Sequence, residues 1–206
     1  MLRLNNIKLP LDHPKSELVV TILKKLGIQP DELLGYSVFK RSYDARRKDN
    51  IKLIYTLNVE VRREKEILRR KRKDNTIRLA PDTGYKFVTQ APDNLIQRPL
   101  VVGTGPCGLF AGLVLAQMGF DPIILERGKL VRERTVDTFG FWRQRKLDPE
   151  SNVQFGEGGA GTFSDGKLHT QIKDKNHRGR KVITEFVEAG APEEILYISK
   201  PHIGTL

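Results

Sequence analysis

Cysteine is almost missing from this sequence, with Cys107 standing alone. One thiol excludes an internal disulfide and any paired-cysteine redox motif, and it points to a reducing, cytoplasmic setting. Long apolar runs are missing too. No stretch approaches the ~18 consecutive apolar residues of a membrane-spanning helix, and the N-terminus lacks the apolar core of a secretory signal. The histidines His13, His169, His177 and His202 are scattered and show no metal-ligand spacing.

Acidic charge is also short. Lys and Arg number 36 against 25 Asp and Glu, a net charge of +11. The excess is uneven: residues 1–98 hold 22 basic and 12 acidic side chains, and residues 99–206 hold 14 and 13. Pro81, Pro92 and Pro99, with Asp93 and Asn94 between them, read as a connector. The expected organisation is a small basic α/β domain with its connector over 1–98, then a second domain over 99–206. The last residues, Pro201 to Leu206, do not read as a closing element, so the second domain is expected to be truncated.

Apolar periodicity fills in the first domain. Ile7, Leu9 and Leu11 alternate as in a strand. Ser16 stands before Leu18, Val19, Ile22, Leu23 and Leu26 at helical spacing, with Gly27 as the stop. Tyr36 and Val38 begin another strand. Ile51, Leu53, Tyr55, Leu57, Val59 and Val61 alternate through a long strand with one buried face. This βαββ order predicts a small sandwich. The charged stretch Glu64–Lys73 fits either a helix or a solvated strand extension.

The most specific pattern starts the second domain. Leu100, Val101 and Val102 run into Gly103-Thr-Gly-Pro-Cys-Gly108, and a helix is expected from Pro106 to Met118. Ile123–Glu126 then reads as a second strand. This is the spacing of a dinucleotide-binding βαβ unit, so a partial Rossmann-like FAD/NAD(P)-binding domain is expected. Gly103 would make the tight turn and Gly105 would let a pyrophosphate approach the backbone. Gly108 would bring helix and sheet together, and Pro106 and Cys107 would begin the helix facing the phosphates. Glu126 stands where a carboxylate accepts ribose hydroxyls, and it disfavours a 2′-phosphate. Cys107 at the helix start reads as packing rather than redox chemistry.

A second glycine-rich segment, Phe155-GEGGAGTFSDGK-Leu168, has no amphipathic period. It reads either as a flexible loop or as backbone wrapped against the flavin end of a cofactor, with Thr162 and Ser164 as added hydroxyl donors. An NAD-only site needs no such second wrap.

GTGPCG followed by ILERG resembles the ADP-binding unit of FAD enzymes of the glutathione-reductase and p-hydroxybenzoate-hydroxylase superfamily. SNVQFGEGGAGTFSDGKLHT, with AGAPEEILY and PHIGT behind it, resembles a narrower group: uncharacterised bacterial NAD(P)/FAD-dependent dehydrogenases. The resemblance covers the whole chain and implies that it is the N-terminal portion of a longer enzyme. Gly103, Gly105, Gly108 and Glu126 then match the ADP-half contacts, and Arg127 and Gly128 match residues near the adenosine. Gly158, Gly159, Gly161, Ser164 and Gly166 match the second contact segment. The implied activity is hydride passage between an unknown substrate or NAD(P)H and FAD.

A flavin needs little acid–base help from protein, so the lack of a catalytic triad excludes nothing. Lys167 and His169 are weak catalytic candidates beside the second segment. Phe139, Phe141 and Trp142 either line a flavin pocket or pack in a core. Arg132, Arg134, Arg143, Arg145 and Lys146 could help neutralise phosphates, although their spacing carries no signal. The basic clusters at 40–48 and 62–73 keep two other readings open, a solvated face and a non-catalytic nucleic-acid-binding or adaptor protein. An NAD-only dehydrogenase is a third class.

Overall fold

The structure is a computed structural model and describes residues 1–168, 170 and 172–204. It is mixed α/β, with a four-stranded antiparallel sheet and a separate parallel pair of strands. The chain divides into two compact units, Met1–Gly84 with His169–Pro201, and Tyr85–Leu168 with His202–Leu206. The sequence reading puts one boundary at residue 98; here unit 1 ends at Gly84 and also takes residues 169–201, which that reading assigns to the second domain.

The first unit starts with β1 (Leu2–Pro10), α1 (Lys15–Leu26), β2 (Leu33–Asp44), β3 (Lys52–Val61), α2 (Glu64–Arg70) and β4 (Ile77–Leu79). The strands lie in the order β2-β3-β1-β4, all antiparallel. This is a βαββαβ sandwich of the split βαβ kind. It contains the expected βαββ and adds α2 and β4. Leu53, Tyr55, Leu57, Val59 and Val61 are all buried, as their alternation requires. They pack with Leu2, Leu4, Ile7 and Leu9 of β1 and with Leu18, Ile22 and Leu26 of α1.

β1 begins five residues before the alternation that marks it in the sequence. Its buried apolar residues are Leu2 and Leu4, then Ile7 and Leu9, which lie in opposite phases. A register shift between Leu4 and Ile7, with Asn6 at φ 57, turns the strand over and restores the apolar face. The sequence shows only the second phase as a clean period. α1 also starts differently from expectation. Pro14 occupies the N-cap without a side-chain cap bond, and Ser16 lies inside the helix. Gly27 stops it in the left-handed region, at φ 65.

Much of the basic charge stitches this unit together. Arg70 of α2 donates to the carbonyls of Leu26 and Gly27, both at 2.9 Å, closing the C-terminal end of α1. Arg63 pairs with Glu32 at 2.6 Å, and Arg62 donates to the Asp31 carbonyl at 2.9 Å. Of the charged stretch Glu64–Lys73, Glu64–Arg70 is a helix with Ile67 buried, and residues 71–73 form a turn. The unit also contains α5 (Arg178–Glu188), followed by a 3-10 turn, Glu193–Leu196, whose Ile195 is buried.

The second unit contains β5 (Leu100–Val102), α3 (Pro106–Gln117), β6 (Ile123–Leu125) and α4 (Val131–Gln144), followed by a 3-10 turn at Gly159–Phe163. β5 and β6 are parallel, with Val101 opposite Ile124. α3 is the crossover that parallel strands require. Its Gly112 approaches Ile124 so closely that a Cβ would lie 2.4 Å from the isoleucine side chain. Unlike most parallel strands, which are covered on both faces, these leave Leu100, Val102 and Leu125 at least half exposed. Among the described residues, no helix is long and apolar enough to cross a membrane.

The core of the first unit hangs on the central strand β3. Replacing Leu57, which has no exposed surface, by alanine is expected to cost about 2–5 kcal/mol in chemical denaturation, with the slope of the transition unchanged.

Candidate functional site at the glycine-rich loops

The strand–helix junction has the shape its glycines demand. Gly103 leaves β5 at φ 97, a conformation that side chains rarely tolerate. A Cβ on Gly108 would sit 1.9 Å from the Gly103 carbonyl oxygen, so only glycine lets the first turn of α3 close over the loop. Gly105 differs from both. It is the N-cap of α3 at φ −66, which any residue adopts, and a Cβ there would meet no atom within 4 Å. Pro106 and Cys107 follow as the first two helical residues, and Cys107 is exposed. The first amides of a helix have no intrahelical partner, and they concentrate positive potential at its start.

Glu126 follows β6 and reaches back to this loop. One carboxylate oxygen accepts the Thr104 amide at 2.7 Å and the Thr104 hydroxyl at 2.8 Å. The other accepts the Gly128 amide at 2.8 Å. These donors, led by the Thr104 amide, hold its pKa at about 2, against an ordinary 4.5. The carboxylate thus ties the ends of the two parallel strands together. Arg127 pairs with Glu150 at 2.5 Å. Gly128 is glycine for a packing reason, since a Cβ would come within 2.4 Å of the Gly156 Cα.

The second glycine-rich segment folds directly against the first. The Gly158 amide donates to the Thr104 carbonyl at 2.9 Å. A Cβ on Gly159 would lie 3.0 Å from the Gly105 Cα, and one on Gly161 would lie 3.4 Å from the Pro106 ring. Gly158 itself leaves no room for a side chain beside Thr162. The segment is therefore structured against the loop rather than free. Its C-terminal part lies elsewhere. Ser164 accepts the Gly166 amide at 3.2 Å, and Lys167 pairs with Asp165 at 2.6 Å. Gly166 accepts a hydrogen bond from Ile203 at 2.9 Å, and Lys167 is bridged to His202. His169 lies outside the described residues.

Arg134 is the residue that sequence reasoning misplaced. It has no exposed surface, and its guanidinium is spent on the second segment. Nε donates to the carbonyls of Asn152 and Phe155, Nη2 to those of Val153 and Gly159, and Nη1 to the Glu157 carbonyl and the Thr162 hydroxyl. Phe163 packs with its ring centroid 5.0 Å from the guanidinium carbon. Thr162 is consequently committed within the chain, because its hydroxyl also donates to Glu157 at 3.0 Å. A buried arginine leaves no signature in a helix that also carries Arg132 and Arg143. Phe139, Phe141 and Trp142 of α4 do not form a core either, being 39–52% exposed, with Trp142 meeting Phe163 edge-on at 6.2 Å. Among the described residues no group of His, Cys, Asp and Glu could hold a metal.

Two outcomes follow. Arg134→Lys removes the fork and strands buried carbonyls, at an expected cost of about 3 kcal/mol or more. Faster proteolysis between residues 150 and 164 and a lower melting temperature report it. Glu126 has a folded-state pKa below its unfolded one, so its contribution is complete above pH ~5 and disappears as the pH falls through the window from 4.5 to 2. Glu126→Gln is therefore expected to flatten the acid dependence of stability in that window.

Residues 1–60, which hold β1, α1, β2 and most of β3, match a family described as a domain of unknown function, DUF8436. The chain is also similar to an uncharacterised protein of Clostridium beijerinckii, 45% identical over 204 residues. That match covers 99% of this chain but 38% of the clostridial protein. The chain therefore spans well under half the length of the relative it matches.

Proposed function

We propose that the second unit is the start of a Rossmann-like FAD-binding domain and that the longer protein is an FAD-dependent oxidoreductase. The single observation that carries this reading is Gly105. Neither its backbone conformation nor any neighbouring atom requires glycine, and the space over it opens at a helix start rich in free amides. A pyrophosphate fits that combination, because its oxygens need close backbone approach and N–H donors. Gly103 and Gly108, by contrast, are explained by the chain itself.

The remaining residues divide the work. The α3 amides after Pro106 would take the diphosphate. Glu126 would exchange a loop hydrogen bond for a ribose hydroxyl, and its negative charge favours an unphosphorylated ribose. The Gly158–Gly161 backbone, held by Arg134, would form the second wall beside the pyrophosphate. Bound FAD supplies the hydride-accepting ring, with NAD(P)H as an expected co-substrate. The half-exposed apolar strands β5 and β6 suit a larger parallel sheet, which further residues of a longer protein would complete. The nucleic-acid reading has less support, since Arg62, Arg63 and Arg70 already hold unit 1 together.

The test is the cofactor released on denaturing the longer protein. FAD in the supernatant is expected, and its absence overturns the reading. Gly105→Ala is expected to leave folding intact and to lower retained flavin at least tenfold. Gly108→Ala is expected to disrupt the fold itself. Equal flavin content in Gly105→Ala and the parent would place the cofactor elsewhere.

A further inference from the structure

The unit-1 sheet carries a second charged feature, independent of the glycine loops. Arg3 follows Leu2 on β1 and so lies on the face opposite the core residues Leu2 and Leu4. It is nine-tenths buried. Its Nε donates to Asn58 Oδ1 at 3.0 Å, and its guanidinium carbon stacks 3.6 Å from the centre of the Phe39 ring. Its Nη2 is buried without a hydrogen-bond partner. Arg180 of α5 approaches the same ring at 5.2 Å and spends Nη1 on the Leu196 carbonyl. His177 meets the ring edge-on at 6.4 Å.

Two guanidiniums thus share one phenyl ring, and among the described residues neither pairs with a carboxylate. Burial pulls both below the ordinary arginine pKa, and Arg180 adds its charge against Arg3. Attraction to a ring is weaker than the penalty for desolvating an ion, so the pair is electrostatically incomplete. An anion within reach of Nη2 would supply the missing acceptor and offset the repulsion between the two charges. Guanidinium forks match the oxygen spacing of carboxylates and phosphates.

We propose that Arg3 and Arg180, assembled on Phe39, form an oxyanion-binding site that takes a phosphate or carboxylate group. The site belongs to unit 1, so its fate does not depend on the flavin reading.

Inorganic phosphate, and acetate in parallel, are titrated into the full chain with ionic strength held constant by chloride. Phosphate is expected to raise the melting temperature saturably, by about 3 °C at ten times its dissociation constant. A matching response to acetate identifies a general oxyanion site, open to an acidic side chain, and a response to phosphate alone identifies a phosphorylated ligand. Arg180→Gln is expected to abolish the response relative to its own melting temperature in chloride. Lys48→Gln, an exposed basic residue, should keep the response. In the unmutated chain, phosphate is expected to slow dicarbonyl labelling of Arg180 several-fold, read by mass spectrometry. The proposal is overturned by melting that follows ionic strength alone, by a phosphate response retained in Arg180→Gln, or by labelling of Arg180 that phosphate leaves unchanged.

Discussion

One buried guanidinium organises the second unit. The segment from Asn152 to Gly158 has neither helix nor strand to satisfy its carbonyls, and glycine-rich backbone loses more entropy on ordering than any other. Arg134 offsets that by accepting the role a strand partner would play. Its fixed fork meets five carbonyls and one hydroxyl at once. With the segment ordered, Gly158 reaches Thr104 and Gly159 lies on Gly105. The two glycine loops become one surface only because an arginine from α4 stands behind the second.

Glu126 does the corresponding job on the first loop. A carboxylate at the end of β6 collects amides from the turn after β5 and from its own turn, so the ends of the parallel pair are tied although the strands are only three residues long. A group so well hydrogen-bonded remains ionised far into acid. Arg134 and Glu126 thus hold the two loops through opposite charges, each spent on backbone groups and one threonine hydroxyl rather than on the other.

Basic residues in the first unit show how far composition can mislead. Counted along the chain, they form a field of positive charge. In the fold, Arg70 caps α1, Arg63 holds Glu32, and Arg3 is buried on a phenyl ring. Arginine's long apolar stem and planar head allow this dual use, which a charge count does not register.

Alternation in β3, the helix of α3 and the GxGxxG spacing were all legible in the amino-acid order, because each depends on neighbours within one or two turns of chain. The first half of β1 was not, because a bulge at Asn5 and Asn6 reverses the phase of its apolar residues. α2 was ambiguous because only Ile67 and the partly buried Leu68 anchor a helix otherwise made of charge. The sequence alone determined the strand–loop–helix at residues 100–117 and the acidic residue that answers it, since backbone sterics and hydrophobic period are local. Only the tertiary structure decided that the second glycine segment lies on the first, that Arg134 is interior, and that Arg3 and Arg180 share a ring. Those depend on contacts between residues tens to hundreds of positions apart, which no local pattern encodes.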